Sequence, residues 1–151
     1  MIGREIALKT RIGKRASGRF VREARIQGQL EHPAIVPVYD IGTDDEGNVY
    51  FSMKRLRGRT LRDILRALRK RDEDTEAEFP RSRLIQVFLT VCDALHFAHS
   101  RGVIHRDIKP SNIMTGYYGE IYVLDWGVAT VMDQDPHLAK TVPVVTQNGL
   151  D

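Results

Sequence analysis

The run His105-Arg106-Asp107-Ile108-Lys109-Pro110-Ser111-Asn112, followed by Asp125-Trp126-Gly127, concentrates side chains able to do chemistry. Two carboxylates, an ammonium, an amide and an imidazole are groups that move protons, neutralise developing charge and ligate hard cations through oxygen. A His-Arg-Asp tripeptide alone is a common surface loop. With Lys109, Asn112 and a later Asp-x-Gly at this distance, coincidence is a weak explanation. The run falls between a helix-like apolar stripe and a strand-like segment, so rigid elements would present a functional loop.

Those elements follow from periodicity. Glu5 to Thr10 alternates as a strand, with Lys9 on the side of Ala7 and Glu5. Ser17 to Leu30 has helical period, placing Phe20, Glu23, Ala24, Gln27 and Leu30 on one face. A carboxylate on an inward face needs a partner. Ile35 to Ile41 and Val49 to Lys54 read as strands of a hairpin, joined by a turn-rich stretch from Thr43 to Asn48. Thr60 to Arg69 reads as a short helix capped by Thr60, and Arg71 to Pro80 as a loop. Arg81 to Ser100 is the clearest helix, with a stripe of Leu84, Phe88, Val91, Leu95 and Ala98 expected in the core and Gly102 as a stop. A hairpin through Tyr117-Tyr118-Gly119, a strand from Ile121 to Leu124 and a polar tail from Asp133 complete an α+β pattern.

On these residues the chain resembles the eukaryotic-like serine/threonine protein kinases of bacteria. Ile6-Ala7-Leu8-Lys9 is similar to the family's Val-Ala-Ile-Lys strand, Arg22-Glu23-Ala24 to its glutamate-bearing helix, and Glu31-His32-Pro33-Ala34-Ile35-Val36 to the linker after it. Tyr50 to Gly58 resembles the hinge between lobes. The resemblance implies a partial protein-kinase-like fold: an incomplete N-lobe sheet with the glutamate-bearing helix, then the first part of a helical C-lobe with the catalytic loop. It divides the chain at about residues 1–53 for the N-lobe part, 54–59 for the hinge, 60–130 for the C-lobe part and 131–151 for the start of a flexible activation segment.

It also implies ATP and Mg²⁺ as cofactors and a protein serine or threonine hydroxyl as acceptor. Phosphoryl transfer is mostly positioning and charge neutralisation. By resemblance, Lys9 contacts the α and β phosphates and Glu23 holds it. Asp107 accepts the hydroxyl proton, and Lys109 neutralises the γ-phosphate. Asn112 and Asp125 hold magnesium. Ala7, Met53, Met114 and Leu124 line the adenine slot, with backbone groups of Lys54 and Leu56 reading the base edge. Arg106 pairs with a phosphorylated residue of the activation segment, for which Thr141 and Thr146 are candidates, while His105 is a packing residue.

Three departures qualify the pattern. Trp126 stands where phenylalanine is usual. The chain starts just before the lysine strand, and Gly3, Gly13 and Gly18 do not form a glycine-rich phosphate loop. It stops before an Ala-Pro-Glu motif, so further segments or a partner are expected to complete the C-lobe and cover the Arg81 to Ser100 helix. A second reading, a non-catalytic interaction module, follows from those boundaries.

Composition narrows the rest. An excess of 23 Lys and Arg over 20 Asp and Glu is small. The basic run from Lys54 to Arg71 is followed at once by Asp72, Glu73, Asp74, Glu76 and Glu78, which reads as a solvated face and not a nucleic-acid surface. The single cysteine, Cys92, excludes an internal disulfide and is expected to be a buried thiol in a reducing compartment. No stretch has the apolar length of a membrane span and no secretion signal is visible, so a cytoplasmic location is expected.

Overall fold

The computed structural model describes residue 3, residues 5–11 and residues 18–132. Thr141, Thr146 and the expected activation segment beyond residue 132 lie outside the described residues. Among those described, no helix is long and apolar enough to cross a membrane.

Strand β1 (Ile6–Thr10) and the helix α1 (Gly18–Gly28) open the fold, followed by β2 (Val38–Thr43) and β3 (Val49–Lys54). The three strands form an antiparallel sheet ordered β1-β3-β2. The β2–β3 turn is held by Asp44, whose Oδ1 accepts from the N–H groups of Glu46 and Asn48 at 3.0 and 2.8 Å. Those bonds, led by the ones from Asn48, hold the Asp44 carboxyl below its ordinary pKa. Phe20 and Ala24 of α1 pack on Phe51 of β3, with the Phe20 and Phe51 rings 5.1 Å apart.

The strand expected to begin at Ile35 begins at Val38 instead. Ala34 and Ile35 are committed elsewhere: the Val123 N–H donates to the Ala34 carbonyl at 2.8 Å, and Ile35 makes a parallel bridge with Val123. Pro37 has no N–H for a ladder. This diversion ties the segment after α1 to the second half of the molecule.

That half contains β4 (Gly58–Thr60), α2 (Leu61–Arg69), α3 (Glu73–Glu78), α4 (Arg81–Ser100), β5 (Val103–Ile104), a 3₁₀ turn (Pro110–Asn112), β6 (Ile113–Gly116), β7 (Ile121–Val123) and β8 (Thr130–Val131). Strands β4, β6 and β7 form a second antiparallel sheet, and β5 pairs with β8. A Cβ at Gly58 would stand 2.0 Å from the Thr115 carbonyl oxygen, so only glycine permits the close β4–β6 approach. Thr60 caps α2 as expected, its Oγ1 accepting from the Asp63 N–H at 3.2 Å.

Three expectations are corrected. The segment read as a loop contains α3, because Asp72 supplies an N-cap to the Thr75 N–H at 2.9 Å and Thr75 is 2% exposed. The acids of α3 face basic neighbours, with Glu78 3.6 Å from Arg59 and Glu76 3.4 Å from Arg71. In α4 the buried stripe is Val87, Val91, Ala94 and Ala98, whereas Phe88 is 66% exposed and Leu84 and Leu95 are half-buried. Cys92 follows Val91 by 100° around the helix and is exposed. The α4 stripe meets Ile26 of α1, Leu30 just beyond it, Ile35, Val123 and Trp126 in one core.

Candidate active site

β1 and α1 position the first pair. Along β1, Ala7 and Lys9 are half-buried while Ile6, Leu8 and Thr10 are exposed, the alternation a one-sided strand requires. Register against β3 sets Lys9 opposite Phe51 and Ala7 opposite Met53. In α1, Phe20, Glu23, Ala24 and Gln27 fall on one buried face. Glu23 would be a costly buried carboxylate without a partner. Lys9 Nζ lies 2.5 Å from Glu23 Oε1, with side-chain exposures of 40% and 8%. Lysine therefore joins the helix to the sheet with a partly exposed side chain.

Beside this pair is a cleft of about 400 Å³, walled by Ala7, Met53, Leu56 and Leu124, with Lys9, Glu23 and Asp125 among its polar groups. Lys54 also lines it, and its side chain reaches Tyr122, with Nζ 2.5 Å from the phenol oxygen and 5.0 Å from the ring centre. That hydrogen bond raises the Lys54 pKa above its ordinary value. Met114 does not line this cleft. It sits on β6 between Thr60 of β4 and Tyr122 of β7, and that pairing holds it in the second sheet. Gln27 and Val36 do line it and were not among the expected site residues. Gln27 Nε2 donates to the Val36 carbonyl at 2.8 Å. The signal was the position of Gln27 one turn after Glu23 on the same face.

The loop between β5 and β6 brings the second group together. Lys109 Nζ lies 2.6 Å from Asp107 Oδ2. Asn112 Nδ2 donates to the same carboxylate oxygen at 3.0 Å and to the Asp107 carbonyl at 2.9 Å. The Lys109 hydrogen bond, with its charge and the Asn112 contact, holds the Asp107 carboxyl below its ordinary pKa. Asp107 is therefore a carboxylate at neutral pH, with Lys109 beside it. Arg106 is exposed, has a φ of 69°, and makes no ion pair among the described residues.

Asp125 follows β7 at a φ of 62° and accepts at Oδ1 from the Gly127 N–H at 3.4 Å. A Cβ on Gly127 would meet Glu23 Oε2 at 3.1 Å and Asp125 Oδ1 at 3.2 Å, so the glycine lets this turn approach α1. The Leu124 N–H donates to the Asn112 carbonyl at 2.8 Å, tying the Asp125 strand to the Asp107 loop. Trp126 is fully buried, its ring 4.5 Å from that of His105 and its Nε1–H donating to the Val123 carbonyl at 3.4 Å. The larger aromatic is accommodated within the core, with its polar edge bonded to the backbone.

Among the described residues no group of three His, Cys, Asp or Glu could cage a metal. Asp125 contributes a carboxylate. Asn112, with Nδ2 engaged by Asp107, can offer a cation only its amide oxygen. Asp125 lines the cleft, and Asn112 is tied to the strand entering it through the Leu124 N–H. Two oxygen donors suit Mg²⁺, which dehydrates reluctantly and takes its remaining oxygens from water and substrate phosphates.

Residues 3–148 match the family model described as Protein kinase domain. The serine/threonine-protein kinase PknD of Protochlamydia amoebophila strain UWE25 is 43% identical over 122 residues, 78% of this chain and 12% of that protein. PknD of Chlamydia trachomatis serovar D is 38% identical over 135 residues, 83% of this chain and 14% of the relative. The chain thus spans a small part of the curated relatives it matches. In the crystal structure of the yeast RNA Pol II CTD kinase CTDK-1 complex, a chain aligns with a TM-score of 0.70 at 22% identity, covering 85% of this chain and 40% of that one. That likeness is one of fold.

Proposed function

Because the chain belongs to the protein kinase domain family, matched over residues 3–148, we propose that it carries the phosphate-transfer half-site of an ATP-dependent protein serine/threonine kinase. The observation that carries this reading is the Lys9–Glu23 pair at 2.5 Å in the wall of a cleft that also presents Asp125. We place the N-lobe part at residues 1–53, the hinge at 54–59, the C-lobe part at 60–130 and the start of the activation segment at 131–151.

In this reading Ala7, Met53, Leu56 and Leu124 take the apolar faces of the adenine. Glu23 holds the Lys9 ammonium toward the α and β phosphates, where positive charge is needed. Asp125 and the Asn112 amide oxygen would hold Mg²⁺, which when bound neutralises phosphate charge. Asp107 orients the acceptor hydroxyl and takes its proton as the new oxygen–phosphorus bond forms. The bond between the γ-phosphorus and its bridging oxygen breaks, and ADP leaves with that electron pair. Lys109 offsets the charge on the transferred group. The six polar residues Lys9, Glu23, Asp107, Lys109, Asn112 and Asp125 are all present and grouped as two linked sets, which favours this reading over an interaction module.

The test is thermal unfolding with and without Mg²⁺-ATP, followed by transfer of labelled phosphate to a serine/threonine peptide library. Nucleotide at about a hundred times its dissociation constant adds roughly 2.7 kcal/mol. A magnesium-dependent rise in midpoint that Asp125→Ala abolishes is expected. A midpoint indifferent to nucleotide overturns the assignment.

A further inference from the structure

A second cleft, of about 630 Å³, shares Lys54 and Leu56 with the cleft that holds Lys9. The connector of residues 54–56 is therefore the partition between them. In the second cleft two arginines converge on one carboxylate: Arg57 Nη2 donates to Glu5 Oε2 at 2.7 Å, and Arg55 Nη1 lies 3.3 Å from Glu5 Oε1. The three side chains are 50%, 58% and 62% exposed for Arg55, Arg57 and Glu5. Ion pairs this open contribute little to stability and exchange readily with solvent or solute. Paired guanidiniums are a favourable receptor for a carboxylate, and Glu5 occupies it as an internal stand-in.

The β6–β7 turn adds Tyr117 and Tyr118 to the lining, 73% and 95% exposed. Its backbone is held: the Tyr118 N–H donates to Glu120 Oε2 at 3.0 Å and the Gly119 N–H to the Gly116 carbonyl at 3.2 Å. Aromatic side chains on a held backbone supply contact area at small entropic cost. Lys54, Arg55 and Arg57 against Glu5 and Glu120 leave a modest positive excess in the lining. Spaced carboxylates on a peptide suit that balance. A continuous polyphosphate chain would meet Glu5 and Glu120.

We propose that this cleft docks an extended acidic segment of a partner protein, whose carboxylate replaces Glu5 between Arg55 and Arg57 while an adjacent apolar residue packs on Tyr117 and Tyr118. The site is separate from the phosphate-transfer residues and stands without them.

Fluorescence anisotropy of the full chain with a labelled peptide alternating aspartate and leucine, compared with its lysine-leucine counterpart, tests it. The acidic peptide binds. Arg55→Ala with Arg57→Ala weakens it ~10-fold or more, and Glu5→Gln tightens it several-fold because the internal competitor is gone. Thermal melts separate loss of fold from loss of site, and if the arginine variant unfolds the Glu5→Gln result decides. No binding of the acidic peptide, equal binding of the two peptides, weaker or unchanged binding by Glu5→Gln, or tighter binding of an oligothymidylate of equal length overturns the proposal.

Discussion

The His105 imidazole donates from Nε2 to the carbonyl oxygen of Leu124 at 2.9 Å. Its Nδ1 accepts the backbone N–H of Asp107 at 3.2 Å, so a neutral ring spans from the Asp107 loop to the strand entering Asp125. Burial, partly opposed by the Leu124 bond, lowers the His105 pKa below 6.5. The unfolded chain then binds the extra proton first, so this contribution is complete above pH 6.5 and is lost as pH falls below it toward the folded pKa. His105→Asn cannot titrate. It is expected to lower the unfolding midpoint near neutrality and to flatten its dependence on pH as the pH falls below the ordinary histidine value. Parallel melts of both proteins check this, since the remaining histidines are common to both.

In the proposed reaction Lys109 bears on the acid limb of activity. A catalytic base works above its pKa, and the Lys109 contact at 2.6 Å is the leading cause that lowers the Asp107 pKa. Lys109→Ala is expected to move the acid limb of the pH–rate profile to higher pH as well as lowering the plateau. Asp107→Asn removes the proposed base and is expected to reduce kcat by roughly 10²- to 10⁴-fold with the fold unchanged by circular dichroism. An acid limb that stays in place in Lys109→Ala would assign the limb to another group.

How much of this was legible in the sequence depends on whether local chemistry or tertiary choice decided it. The Thr60 cap and the Glu23 face were readable because each follows from spacing along one element. The α3 helix was hidden in an acidic stretch, since Asp72 capping and the burial of Thr75 only matter once Arg59 closes over it, its Nη2 donating to Thr75 Oγ1 at 3.1 Å. Ile35 carries a strand-like side chain, yet its backbone serves β7. The partnership of Lys54 with Tyr122 joins residues 68 apart and leaves no periodic trace.

The α4 stripe shows the same limit and can be tested directly. Phe88 and Val87 are adjacent, and a helix rich in apolar residues on several sides does not declare which faces inward. Val87 is 2% exposed and Phe88 is 66% exposed. Val87→Ala is expected to cost roughly 1–3 kcal/mol through lost burial and a residual cavity, while Phe88→Ser changes stability by less than about 0.5 kcal/mol. Urea titration of both variants in this chain decides the register, and the reverse order would place Phe88 in the core.

The Lys9–Glu23 pair predicts an asymmetry between its two halves. Lys9 is 40% exposed and can be hydrated alone, whereas Glu23 at 8% cannot. Lys9→Met therefore strands a buried carboxylate and is expected to destabilise the chain by about 1–3 kcal/mol. Glu23→Gln leaves a neutral amide beside a lysine that water reaches, and its cost is expected to be smaller. The double variant Lys9→Met, Glu23→Gln should recover part of the loss, since no charge remains buried. Phosphotransfer behaves differently: Lys9→Met removes the proposed phosphate contact itself and is expected to lower kcat at least ~10²-fold, and the double variant recovers none of it. Equal stability losses for the two single variants would mean that Glu23 is hydrated in solution and that the ion pair does not order α1 against β1.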